Sequence, residues 1–189
     1  MTVAPSHAAS LVMIRPDGAV LLGRRLKTAA FIPDAFVFPG GRVDPADLTA
    51  STPLLPESEI ARMAACGATR AMPAHALAAA AMRETLEETG LRPGGPLRFL
   101  GRAITPRQSP IRFHARFFWC EGEAEGDLAG SGELVDLGWY PFAEAGKLPM
   151  IDVTAFMLAE AEARVRGADQ EPALFCYRHG RPQIRRSPA

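Results

Sequence analysis

Two apolar runs open the chain. Residues 9–14 and 19–24 predict strands, and Arg15-Pro16-Asp17-Gly18 between them carries hairpin-turn chemistry. Residues 31–38 form a short aromatic run that ends at Pro39-Gly40-Gly41. Residues 44–73 are richer in Pro, Ser and Thr and read as an excursion from the core; within them, 57–66 predicts a short helix stopped by Gly67. From 74 to 89 the pattern turns strongly helical, because alanine is the best helix former and Gly90 suits the left-handed position that closes a helix. Ala78, Ala79, Met82 and Leu86 fall on one face, where the small alanines allow close approach to a sheet. Strands follow at 97–104, 111–121 and 134–139, then a helix at 153–166 and a last strand at 173–177. Between Arg112 and Phe117 the alternation has period two, so Arg112, His114 and Arg116 share a face. The sum is a mixed α and β chain, a sheet covered by helices.

Composition narrows the function more than the fold. A chain of 189 residues fits one domain, or one domain with an insertion, and 48% hydrophobic content supports a sizeable core. The net charge is zero, so no global field draws the protein to nucleic acid or anionic membrane. No apolar stretch is long enough to span a bilayer, and the first ten residues lack the basic and apolar regions of a signal peptide. Cys66, Cys120 and Cys176 are odd in number and widely spaced, which fits a reducing cytoplasm and matches no zinc spacing. Arg178, Arg181, Arg185 and Arg186 read as a basic tail without fixed structure, with too few cations for a nucleic-acid role.

The candidate chemistry lies at the end of the alanine-rich helix. Arg83-Glu84-Thr85-Leu86-Glu87-Glu88-Thr89-Gly90-Leu91 places three carboxylates within one narrow arc. Stability gives little reason for this. Glu84 and Glu88 repel at i,i+4 by about 0.2–0.5 kcal/mol, and anions near a helix C-terminus cost about 0.3–1 kcal/mol more. A divalent cation reverses both penalties. Mg²⁺ takes hard oxygen ligands from one or two carboxylates plus substrate phosphate, and Arg83 is placed to pair with Glu87 at i,i+4. The pattern points to hydrolysis of a phosphoanhydride. The alternative is a solvated charged face with an incidental salt bridge.

This segment resembles the second half of the Nudix hydrolase signature, with Thr85 in place of an aliphatic residue. The first half is best matched by Phe38-Pro39-Gly40-Gly41-Arg42-Val43-Asp44-Pro45-Ala46-Asp47, with Gly41 at the signature glycine and Asp47 at its glutamate. Thirty-five residues separate Asp47 from Arg83 where the signature has seven, an insertion of 28. The resemblance implies a single domain over 1–189 with an α/β/α sandwich, a mixed sheet and a loop-helix-loop metal site. It also implies an insertion at 48–73 and a C-terminal extension at 170–189. It implies Mg²⁺ or Mn²⁺ held by Glu84, Glu87, Glu88 and a backbone oxygen of Gly41, with Arg83 orienting Glu87. The implied activity is pyrophosphohydrolysis of a nucleoside diphosphate derivative.

Substrate choice rests on weaker signals. Leu21-Leu22-Gly23-Arg24-Arg25 through Gly41 resembles the motif of coenzyme A diphosphatases, with Ala30 where that motif has Arg and Asp34 where it has Gly. Coenzyme A or an acyl ester is therefore the leading substrate; ADP-ribose, dinucleotides or oxidised triphosphates are the second. A third reading is a nucleotide-binding module without turnover. Arg25 suits a substrate phosphate or a strand-end surface charge. Arg112 and Arg116 suit a phosphate-facing strand or the solvated face of an edge strand. Glu133 suits an extra ligand or base, or an ordinary loop acid. The Ala- and Met-rich insertion suits a lid, a homodimer contact or a mobile segment.

Overall fold

The computed structural model describes residues 3–186. The N-terminal hairpin forms β1 (Ser6–Ile14) and β2 (Ala19–Arg25), closed by a turn in which the Arg15 N–H donates to the Ala19 carbonyl. Next come β3 (Phe36–Val37), β4 (Gly40–Arg42) and a 3₁₀ turn, Pro45–Thr49. The excursion holds α1 (Glu57–Ala65) and leads into α2 (Ala74–Thr89). Beyond α2 lie β5 (Arg92–Pro93), β6 (Arg98–Ile104), β7 (Phe113–Glu121), β8 (Ala124–Glu125) and β9 (Leu134–Pro141). The chain then forms α3 (Phe142–Ala145), α4 (Asp152–Val165), β10 (Ala173–Arg178) and β11 (Arg181–Arg186).

Nine strands make one mixed sheet in the order β11-β10-β6-β7-β1-β2-β3, with β4 also on β1 and β9 on β2. The pairs β1–β7 and β6–β10 are parallel; the other pairs are antiparallel. Helices cover both faces, giving the expected α/β/α sandwich. On one face Leu11, Met13, Phe99 and Phe118 pack against Leu77, Ala78 and Ala81 of α2, joined by Met63 of α1. On the other, Val12, Val20, Leu100 and Phe117 pack against Met157, Leu158 and Ala161 of α4. Alternate residues of one strand feed opposite cores, as the two-residue period requires.

Two expectations change. The basic tail is ordered, with Arg178 closing β10 and Arg181, Arg185 and Arg186 in β11, where Arg186 forks onto the Glu160 carboxylate (2.9 and 2.5 Å). Hairpin pairing with β10 supplies the backbone bonds that composition alone does not reveal. Residues 187–189 of the C-terminal extension lie outside the described residues. The inward face of α2 is also rotated from the predicted one: Leu77, Ala78, Ala81, Thr85 and Glu88 are buried, while Met82 and Leu86 are partly exposed.

Candidate active site

Helix α2 fixes the geometry of the acidic residues. It ends at Gly90, whose φ of +74° is left-handed and whose N–H donates to the Leu86 carbonyl (2.8 Å). A Cβ there would also press on the Asp127 carbonyl at 2.5 Å, so glycine is required twice over. Thr85 fills the inward position in place of an aliphatic residue. Its hydroxyl donates to the Ala81 carbonyl (2.7 Å), which removes the cost of burying a polar group there.

Arg83 is the hub. Its Nε and Nη2 fork onto both carboxylate oxygens of Asp47 (3.1 and 3.0 Å), and Nη2 also reaches the Arg42 carbonyl (3.0 Å). Its Nη1 donates to Glu84 (2.9 Å) and Glu87 (3.0 Å). The Asp47 bond is the main cause holding the guanidinium well above its ordinary pKa. Asp47 is buried, and the 3₁₀ turn places it: Asp44 caps that turn while the Asp44 N–H donates back to Asp47 (2.7 Å). The shorter aspartate reaches Arg83 because the turn carries its backbone inward. The structure thus joins segment 40–47 to the end of α2 across the long excursion.

Glu88 is 4% exposed and accepts the Gly40 N–H (2.9 Å). Burial pushes its carboxyl up to about 7, against the opposing pull of that N–H. Burial also raises Glu84. A Cβ on Gly41 would collide with the Glu84 carboxylate, and one on Gly40 with Ala9 and Ser10. The turn therefore brings bare backbone against two desolvated carboxylates. Glu87 instead has a side chain 57% exposed and turned toward Arg83. Among the described residues no three His, Cys, Asp or Glu side chains converge as a ready ligand set. The donors present still fit a hard cation: two desolvated carboxylates, Glu84 and Glu88, with a glycine backbone in front of them.

Gly40, Gly41, Glu84, Glu87 and Glu88 line a cavity of about 760 Å³, together with Arg25 and Glu133. The Arg25 Nε is buried without a hydrogen-bond partner among the described residues. Arg25 also lies close enough to favour the charged form of Glu88. The remaining wall is largely aromatic and aliphatic, including Phe31, Phe38, Phe113, Phe117 and Phe175.

Arg112 and Arg116 lie elsewhere, which corrects both readings of that face. Strand β7 is central, between β6 and β1, so its arginine face is covered rather than solvated. Arg116 is fully buried: Nε and Nη2 reach the Ala68 carbonyl (3.0 and 2.7 Å), and Nη1 the His114 carbonyl (2.6 Å) and His7 Nδ1 (2.9 Å). Arg112 is buried against the carbonyls of Thr105, Pro106 and Val3. The cavity wall is the other face of β7, Phe113, Ala115 and Phe117. The same period-two pattern marks that face, but phenylalanines on a strand read first as core. Asp152 and Tyr177, also on the cavity wall, carry no signal that singles them out in the sequence.

Comparison with known proteins supports the fold. The NUDIX domain family model matches residues 68–159, which include α2 and exclude β1 to β4. No curated protein matches the chain. A NUDIX hydrolase from Alicyclobacillus acidocaldarius superposes with a TM-score of 0.60 at 28% identity, covering 84% of this chain and 91% of that one. The NUDIX domain of Shewanella oneidensis NrtR, solved with ADP ribose, superposes with a TM-score of 0.59 at 15% identity, covering 86% and 90%. A C. elegans Ap4A hydrolase superposes with a TM-score of 0.57 at 18% identity, covering 86% and 99%. The last two share the fold alone. Residues 68–159 thus match the NUDIX domain family, and the fold of the chain is that of NUDIX hydrolases.

Proposed function

We propose that this protein hydrolyses the pyrophosphate bond of a nucleoside diphosphate derivative, with Mg²⁺ or Mn²⁺ held by Glu84, Glu87, Glu88 and a Gly41 backbone oxygen. One observation carries the reading: Glu84 and Glu88 are desolvated against the Gly40–Gly41 turn, with Arg83 already shared among Asp47, Glu84 and Glu87. A bound divalent ion would supply charge neutralisation on the phosphates and a more acidic water. The protein's own groups do the rest. Arg83 holds Glu84 and Glu87 in register with Asp47. Arg25, with an unused Nε, donates to a phosphate oxygen in the fork geometry that suits guanidinium. Glu133, at the cavity wall, accepts the proton of the attacking water at its carboxylate.

Among substrates, coenzyme A or an acyl ester leads on the resemblance of the segment from Leu21 to Gly41, and the apolar wall suits such a moiety. ADP-ribose, dinucleotides and oxidised triphosphates are the alternative, favoured by the aromatic lining, which suits a base. The three unpaired thiols support a cytoplasmic setting. Product analysis on a substrate panel with Mg²⁺ and Mn²⁺ decides between these. Release of phosphopantetheine marks coenzyme A, and release of ribose phosphate marks ADP-ribose. Nucleotide-dependent stabilisation without any product across the panel overturns the hydrolytic reading.

A further inference from the structure

The end of α2 holds a second element of the site. The loop from Gly126 to Glu133 joins β8 to β9 and is exposed throughout. It is tied down at the last turn of α2, where the final carbonyls of a helix have no partner within it. The Ala129 N–H donates to the Thr89 carbonyl (2.9 Å) and the Ser131 N–H to the Glu88 carbonyl (3.4 Å). Among the described residues, 127–132 make no other hydrogen bond to the body of the protein. Glu88 therefore acts from both ends: its carboxylate accepts the Gly40 N–H, and its carbonyl accepts the loop.

Two glycines allow this approach, each for the other. A Cβ on Gly90 would lie 2.5 Å from the Asp127 carbonyl oxygen, and a Cβ on Gly126 would lie 2.5 Å from the Gly90 carbonyl oxygen. Gly126 also has a φ of +101°, which side chains rarely adopt. Glu133 lies two residues after Ser131 and one before Leu134, which is buried and pairs with Arg25 where β9 meets β2. Its backbone is thus held on both sides, while its side chain lines the cavity.

We propose that Gly126 is a positioning residue: its bare backbone lets the loop clasp the end of α2, and the clasp sets the Glu133 carboxylate against Glu84 and Glu88. This rests on the hydrolytic reading, in which Glu133 takes the proton of the attacking water. One short helix end then supplies the metal-facing carboxylates through its side chains and fixes the proton acceptor through its carbonyls. The acceptor sits on an exposed loop, so its placement depends on these few backbone contacts rather than on packing.

A double-mutant cycle with hydrogen exchange tests this on the full chain. Gly126→Ala should lower kcat by about 10- to 100-fold with KM nearly unchanged, since a shift of about 1 Å near the chemistry costs on the order of 10²-fold. Ala129→Pro, which removes the donor to Thr89 and adds no side chain at Gly126, should do the same. In a Glu133→Gln background either change should cost less than about twofold, because the group being positioned is already gone. A purely structural role would keep its full cost there. The Ala129 amide, although in an exposed loop, should exchange at least about tenfold more slowly than an open amide in the wild type and lose that protection in Gly126→Ala. An unprotected Ala129 amide in the wild type, unchanged kcat in both loop variants, or the full loss retained in the Glu133→Gln background overturns the proposal and leaves the reaction standing. Unchanged turnover in Glu133→Gln alone overturns it as well. No turnover by the wild-type chain across the substrate panel ends the proposed reaction and this inference together.

Discussion

The two faces of strand β7 differ in chemistry and in use. One carries Phe113, Ala115 and Phe117 and forms a wall of the cavity. The other carries His114 and Arg116, with Arg112 just before the strand, and points toward the excursion between β4 and α2. The charged face looks like the binding surface and is not. Its guanidiniums meet backbone carbonyls: Arg116 reaches Ala68, and Arg102 of the neighbouring β6 reaches Cys66 (2.8 Å). Those carbonyls lie at and just beyond the C-terminal end of α1, where exposed oxygens and the helix dipole favour a cation. Burial, with Arg116 beside it, drives His114 down to about 3, so the imidazole stays neutral there. Arginine here pins the excursion to the sheet, and the apolar face serves the site.

The largest expected effect lies at the cavity. Glu88→Gln should lower kcat by about 10²–10³-fold, the scale for losing a preorganised electrostatic group, while thermal stability in chelator stays level or rises. Unchanged turnover would end the assignment of the α2 carboxylates. Across the strand the order of effects reverses. Arg116→Met leaves the Ala68 carbonyl without its donors, a loss of about 1–3 kcal/mol. At about 2–4 °C per kcal/mol for a domain of this size, Tm should fall by about 2–12 °C with kcat/KM nearly intact. A collapse of kcat/KM at constant Tm would return Arg116 to the substrate.

Linkage sharpens the same contrast. Glu88 has a carboxyl near 7 in the folded protein against an ordinary 4.5, so the folded state binds its proton more tightly. The associated stability is fully present below about pH 4.5 and is lost as pH rises through about 7. In chelator, Tm should therefore drop between pH 5 and 8. Glu88→Gln should flatten the drop, and added Mg²⁺ should recover stability above pH 7 by binding only the folded state. An equal slope in the variant would show that another group carries it. The smallest effect is expected from Phe113→Ala: KM rises about tenfold, the scale of one lost stacking contact, and kcat changes little. A kcat effect larger than the KM effect would place Phe113 nearer the chemistry.

Much of this is legible in the sequence, though unevenly. The α2 helix and its Gly90 stop follow from alanine content and left-handed glycine chemistry, and both are local. Glu84, Glu87, Glu88 and Arg83 stand out because one helical arc gathers them. Asp47 stands out by position, but its function requires the 3₁₀ turn that aims it at Arg83 across the excursion. Arg112 and Arg116 mislead because period two tells which residues share a face and not what covers that face. The ordering of β11 is hidden for a related reason: six residues rich in arginine pair as a strand only once β10 supplies the partner edge.

The parallel pairing of β1 with β7 has a consequence for how the protein is made. Ser6 lies beside Phe113 and Ile14 beside Glu121, residues roughly a hundred positions apart in the chain. During synthesis the long first half, with the acidic helix α2 complete, therefore emerges before β7, the strand that links β1 to β6. Contacts of such sequence separation form slowly and leave strand edges open meanwhile. The cavity wall is finished later still, since Glu133, Phe175 and Tyr177 all follow β7, so a truncated chain ending before residue 121 should hold the acidic helix without a closed cavity.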